Sequence, residues 1–78
     1  MFRASIDITR EVCPMTWVRV KLKLEELSPG DRLEVRLRGD EPRRNLPRNA
    51  ASEGHRVEAM TEHDDGSASL VIEVGAGP

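Results

Sequence analysis

The sequence predicts an α/β (α+β) two-layer sandwich in the order β-α-β-α-β-β. A four-stranded mixed sheet carries two helices on one face. Three observations lead there. Four short segments alternate apolar and polar residues, so each offers one apolar face. Two segments with helical spacing of apolar residues stand between the first three of them. The chain has 78 residues, 37% hydrophobic and 33% charged, which is enough apolar material for one core layer but not for a sheet buried on both sides. Right-handed parallel crossovers would put both helices on the same side. The reading is a single domain over 1–78 with an ordered core of about 3–74.

In the first strand Phe2, Ala4, Ile6 and Ile8 alternate with Arg3, Ser5 and Asp7. Cys13-Pro14 then opens a helix, because proline is pre-set for the first helical position. That helix runs to Leu27 and is closed by Ser28-Pro29-Gly30-Asp31. Trp17, Val20, Leu24 and Leu27 form its core stripe. Met15, Val18 and Leu22 form a second stripe on the opposite side, which calls for a neighbour. Packing against the other helix and docking of a partner protein are the two uses considered, with internal packing the first expectation.

Leu33, Val35 and Leu37 alternate with Arg32, Glu34, Arg36 and Arg38 in the second strand, and Gly39-Asp40-Glu41-Pro42 reads as a loop. A shorter helix is expected from Asn45 to Glu53, ending at Gly54, with Pro47 near its first turn. The third strand places Val57 and Ala59 on its apolar face, between Arg56, Glu58 and Met60. Asp64-Asp65-Gly66-Ser67 is a hairpin turn. Ala68, Leu70, Ile72 and Val74 alternate with Ser69, Val71 and Glu73 in the fourth strand, and the tail from Gly75 is expected to fray.

Composition narrows function. A single cysteine excludes an internal disulfide framework, and Cys13, His55 and His63 are too few for a dedicated zinc site. No apolar run approaches the ~20 residues of a membrane span, and no signal-peptide pattern opens the chain. The cytoplasm, where a lone thiol stays reduced, is the expected compartment. Net charge is −2, which counts against nucleic-acid binding. The charges are uneven: seven arginines face four acids from Arg32 to Arg56, and five acids with no base follow from Val57. Such asymmetry can steer an acidic partner, or simply reflect a solvated surface.

Cys13 is the strong nucleophile of the chain. Immediately before the first helical residue, its sulfur would lie near unsatisfied backbone N–H groups and the positive end of the helix dipole. Both favour the thiolate, the reactive form. A small apolar cap under the first strand is the alternative, and chemistry alone leaves the two open. Arg19 adds positive potential only if its side chain folds back. His55 and His63 show no spacing that ties them to Cys13. Glu25-Glu26 and Asp64-Asp65 are adjacent in sequence and point apart.

Cys13-Pro14 after a short strand, the helix ending in Leu27-Ser28-Pro29-Gly30-Asp31, and the strand Leu33-Glu34-Val35 resemble the TusA/SirA-like sulfur-carrier family. Asn45-Leu46-Pro47, Gly54-His55 and Asp65-Gly66 extend the resemblance over residues 4 to 74. The resemblance implies a small sulfur carrier of the sulfurtransferase type. Cys13 would accept sulfane sulfur as a persulfide from a donor protein, a cysteine desulfurase or a rhodanese-type enzyme, and relay it to a downstream acceptor protein. No cofactor or metal is called for. Pro14 would fix the geometry, and Met15, Val18, Arg19, Leu22, Arg43 and Arg44 would be the partner contacts. The family motif is Cys-Pro-X-Pro, and Thr16 stands here in place of the second proline. The departure keeps a second reading open, a regulatory or protein-binding module of the same fold. RNA binding is a third, resting on the arginine cluster alone.

Overall fold

A computed structural model describes residues 3–12 and 15–76. The elements are β1 (Arg3–Asp7), α1 (Met15–Glu25), β2 (Arg32–Arg38), α2 (Asp40–Ser52), β3 (Arg56–Glu62) and β4 (Ser67–Glu73). The sheet order is β1-β2-β4-β3, with β1 parallel to β2 and β4 antiparallel to both of its neighbours. Both crossovers step across the sheet in one direction, so right-handed connections stack α1 and α2 on one face. The two-layer α/β sandwich expected from the alternation is the observed fold.

Register explains why the core is continuous. Ala4, Leu33, Ile72 and Val57 lie in one row across the sheet, and Ile6, Val35, Leu70 and Met60 in the next. Val20 and Leu24 of α1 and Leu46 and Ala50 of α2 press on these rows, and all four are buried. Trp17 and Leu27 are half-buried against the same cluster.

Three expectations are corrected. The second helix begins at Asp40, not Asn45, so Gly39-Asp40-Glu41-Pro42 is not a loop. Gly39 turns the chain at φ 104°, a conformation that side chains disfavour, and frees the next residue to start the helix. Asp40 and Glu41 then suit the positive end of the dipole, and Pro42 sits where no intrahelical N–H bond is needed. Pro47 consequently falls in the helix interior, where it withholds one backbone bond. The third strand runs on to Glu62 and changes phase, because the register shifts between Val57 and Ala59. A bulge flips the faces beyond it, so Met60 packs on the core and Ala59 is exposed. Finally, the stripe of Met15, Val18 and Leu22 does not pack against α2; all three are exposed.

The face of the sheet away from the helices carries ion pairs. Arg32 reaches Glu58 and Glu73, Arg3 reaches Glu34, and Arg36 and Arg38 both reach Asp65. Asp65 also accepts from the Ser67 N–H at 3.0 Å and the Ser67 hydroxyl at 2.6 Å, closing the hairpin with Gly66 at φ 88°. These bonds hold its carboxyl well below the usual carboxylate range. Asp7 is lowered by its bonds from Thr9, and Glu62 by its bond from Arg43. A carboxyl that is lower in the folded state contributes stability that is whole above its unfolded value and lost as pH falls through the folded one. The urea midpoint should therefore hold above about pH 5 and drop steadily on further acidification, with a weaker acid limb in Asp65→Asn. A midpoint flat from about pH 5 to pH 3 would refute this assignment.

Candidate functional site

The connection from β1 to α1 is fixed by short-range bonds. The Asp7 carboxylate accepts from the Thr9 N–H at 2.9 Å and the Thr9 hydroxyl at 2.8 Å. Ile8 is buried and donates its N–H to the Arg36 carbonyl at 2.9 Å, and Glu11 N–H bonds to the Ile8 carbonyl at 3.0 Å. The Met15 N–H bonds to the Val12 carbonyl at 2.8 Å as α1 begins. Cys13 and Pro14, expected to open this helix, lie outside the described residues.

The residues on either side of them share a groove. Val12 and Thr16 line a depression of about 510 Å³ together with Glu11, Arg38, Gly39, Asp40, Glu41 and Pro42. It lies between the starts of α1 and α2, at the carboxyl ends of the parallel strands β1 and β2, where open α/β sheets usually bind ligands. The first turn of α1 contains no acidic residue, so nothing within that turn opposes the positive end of its dipole.

The charges around the groove are unequal. Arg19 folds back toward the connection, but its guanidinium meets the Glu11 carboxylate at 3.4 Å, so its charge is compensated. Arg38 is held by Asp65, donating to its backbone carbonyl at 2.8 Å. Asp40 and Glu41 line the α2 side of the rim, with Arg43 close enough to feel the Asp40 charge.

Met15, Val18 and Leu22 follow the groove outward along α1 at 43%, 38% and 55% exposure, and Val12 begins the line at 74%. Four apolar side chains thus run from the residue before Cys13 along the solvent side of the helix. Val12 was not legible as part of this surface, because it precedes the helix and belongs to no periodic stripe. Its only signal is an apolar residue directly before a cysteine.

The two arginines expected to act together are separated. Arg43 is largely covered and donates to both Glu62 oxygens, at 3.2 and 2.8 Å, and to the carbonyls of Gly39 and Gly66. It ties the start of α2 to the β3–β4 hairpin, and Glu62 raises its pKa. Arg44 is exposed on α2. The histidines are engaged elsewhere. His63 Nε2 lies 2.7 Å from the Ser69 hydroxyl on the open face of the sheet, and His55 Nδ1 accepts from the Gly75 N–H at 3.1 Å. Among the described residues no three His, Cys, Asp or Glu side chains gather to hold a metal ion. No described helix is long and apolar enough to cross a membrane.

Comparison with known proteins agrees with this layout. The profile of the family described as sulfurtransferase TusA matches residues 4–74. A protein of Archaeoglobus fulgidus named "Putative sulfur carrier protein" is 37% identical over 67 residues, covering 86% of this chain and 76% of its own. An Escherichia coli K12 protein named "Putative sulfur carrier protein TsuB" is 26% identical over 69 residues, covering 88% and 92%. The crystal structure of a SirA-like protein from Desulfitobacterium hafniense superposes with a TM-score of 0.81 at 32% identity, covering 92% of this chain and 97% of that one. A match spanning the sheet, both helices and the groove between them places the chain in the TusA sulfurtransferase family.

Proposed function

We propose that this chain is a sulfur carrier whose Cys13 accepts sulfane sulfur as a persulfide and passes it to a downstream protein. The observation that carries the reading is the acid-free first turn of α1, which opens on the groove two residues beyond the chain's one cysteine. Loading is an exchange between sulfurs. The Cys13 thiolate attacks the outer sulfur of a donor persulfide, a new S–S bond forms, and the donor cysteine leaves as thiolate. Delivery repeats the step with an acceptor thiolate attacking the outer sulfur and Cys13 leaving. No electrons are gained or lost overall. A helix N-terminus assists both steps, since Cys13 is an anion as nucleophile and again as leaving group.

The donor is of the cysteine desulfurase or rhodanese type, and the cytoplasm is the setting in which a lone thiol remains available. Incubation with a cysteine desulfurase and cysteine should add one sulfur atom to the intact mass, and reductant should remove it. Absence of that addition with both donor classes, while Cys13 alkylates readily, would overturn the proposal.

Met15, Val18 and Leu22 serve as the surface on which protein partners settle. Four exposed apolar side chains, two of them within two residues of Cys13 in sequence, support this use. Val18→Asp should slow transfer from a protein donor about tenfold or more, as losing a central interface contact does. Loading by a small-molecule persulfide should stay unchanged. Equal transfer rates in both assays would remove the stripe from the interface. Arg19, which lines a shallow depression with Leu22, and Arg44, exposed on α2, are secondary contacts in this reading. RNA binding is not supported, because Arg36, Arg38 and Arg43 are each committed to an acid within the fold.

A further inference from the structure

The two edges of the sheet are unlike each other. β3 is blunted: a bulge interrupts it between Val57 and Ala59, and Glu58 and Glu62 are held in ion pairs with Arg32 and Arg43. Bulges and charges are the usual protection of an edge against pairing with another chain. β1 has no register shift and no proline, and among the described residues it pairs with β2 alone.

The Ile8 N–H bonds to the Arg36 carbonyl, which turns the Ile8 backbone toward β2. Bonding direction alternates along a strand, so Ala4 and Ile6 also bond inward, while Arg3, Ser5 and Asp7 offer their N–H and C=O groups outward. The segment Arg3-Ala4-Ser5-Ile6-Asp7 is complementary to its own reverse. Laid antiparallel on a second copy about Ser5, it sets Arg3 against Asp7, Ala4 against Ile6 and Ser5 against Ser5. Outward residues then meet outward residues, and each such pair can exchange bonds in both directions. Both charges are within reach of a partner. The Arg3 side chain is 65% exposed and meets Glu34 only at 3.7 Å. Both Thr9 bonds fall on Oδ1 of Asp7, and its Oδ2 accepts none among the described residues.

The helix layer fits the same arrangement. Ile6 shares a depression of about 220 Å³ with Arg19, Leu22, Lys23 and Glu26, so α1 overhangs the β1 side of the sheet. Ala4 and Ile6 are half-buried there, and Leu22 is 55% exposed. With paired strands about 4.8 Å apart, two such helices would stand about 10 Å from each other, the usual separation of packed helices. We propose that two copies of this chain pair through β1 into one continuous sheet, with Leu22 of each α1 closing the seam. The pairing does not depend on Cys13 and goes beyond the carrier reading. It bears on that reading at one residue, because Leu22 serves either the second copy or a protein donor.

Sedimentation equilibrium of the full chain under reductant, in a concentration series up to about 1 mM, tests the proposal. Wild type should dimerise reversibly within that range. Arg3→Glu sets like charges against Asp7 on both sides of the two-fold axis and should raise the dissociation constant about tenfold. Ser5→Pro removes the central outward N–H and spares the bonds to β2, a place where an edge strand tolerates proline. Its circular dichroism should match wild type while the dimer is lost; should it fail to fold, Arg3→Glu decides alone. Arg3→Glu/Asp7→Asn removes the repulsion yet keeps an oxygen for Thr9, and should recover part of the lost affinity. A wild type monomeric up to about 1 mM overturns the proposal. So does a dimer that Arg3→Glu leaves unweakened, or a double variant no tighter than Arg3→Glu, since Arg3 and Asp7 would then not face each other. Persulfide loading plays no part in these readings, so the carrier reading and the pairing stand or fall separately.

Discussion

Cys13→Ser is expected to abolish sulfur loading completely while leaving the fold intact or slightly more stable. A serine hydroxyl stays protonated at neutral pH and cannot take sulfur from a persulfide, whereas the thiolate is the attacking species. The chain holds no second cysteine to substitute for it. Stability should move the other way, because serine is among the preferred residues at a helix N-cap. Intact mass after exposure to donor and cysteine reads the first effect, and the urea midpoint reads the second. A serine chain that still carries reductant-sensitive sulfur would end the carrier hypothesis. One that fails to fold would show that the cysteine is held by packing.

The largest stability effect is expected from Leu70→Ala. Leu70 is 1% exposed on β4, a central strand with neighbours on both sides, and lies in the row with Val35 and Met60 beneath the helices. Truncating a buried leucine costs about 2–5 kcal/mol, depending on how far the site collapses. A domain of this size has a total stability of about 4–12 kcal/mol. The substitution should therefore remove a large fraction of the whole, lowering the urea midpoint steeply with little change in slope. A loss below about 1 kcal/mol would mean that the helices settle into the vacated space.

The alternation of β1, β2 and β4 was legible because each keeps strict two-residue phase from end to end. β3 was legible only as far as Glu58. A bulge inserts one residue without marking the sequence, so Ala59 and Met60 exchange faces. The start of α2 was hidden for a different reason. Gly39 and Pro42 read as loop signals when taken singly, yet a left-handed glycine followed by two acids and a proline also satisfies a helix N-terminus. Around the thiol, the line of Met15, Val18 and Leu22 was visible from spacing, but its exposure was not. Whether a second stripe meets another helix depends on how the helices lie. Arg43 resembled a free surface cation because its partner Glu62 is 19 residues away and meets it only through the fold.

The strand order also governs when this sheet can assemble during synthesis. β4 leaves the ribosome after β1, β2 and β3, yet it lies between β2 and β3. Until it emerges, β1 and β2 can pair with each other, but β3 has no neighbour. No stage of translation before Ser67 offers a sheet able to cover both helices. The segment through β3 must stay open until β4 emerges, its apolar strands available to chaperones, and the sheet then closes in one step.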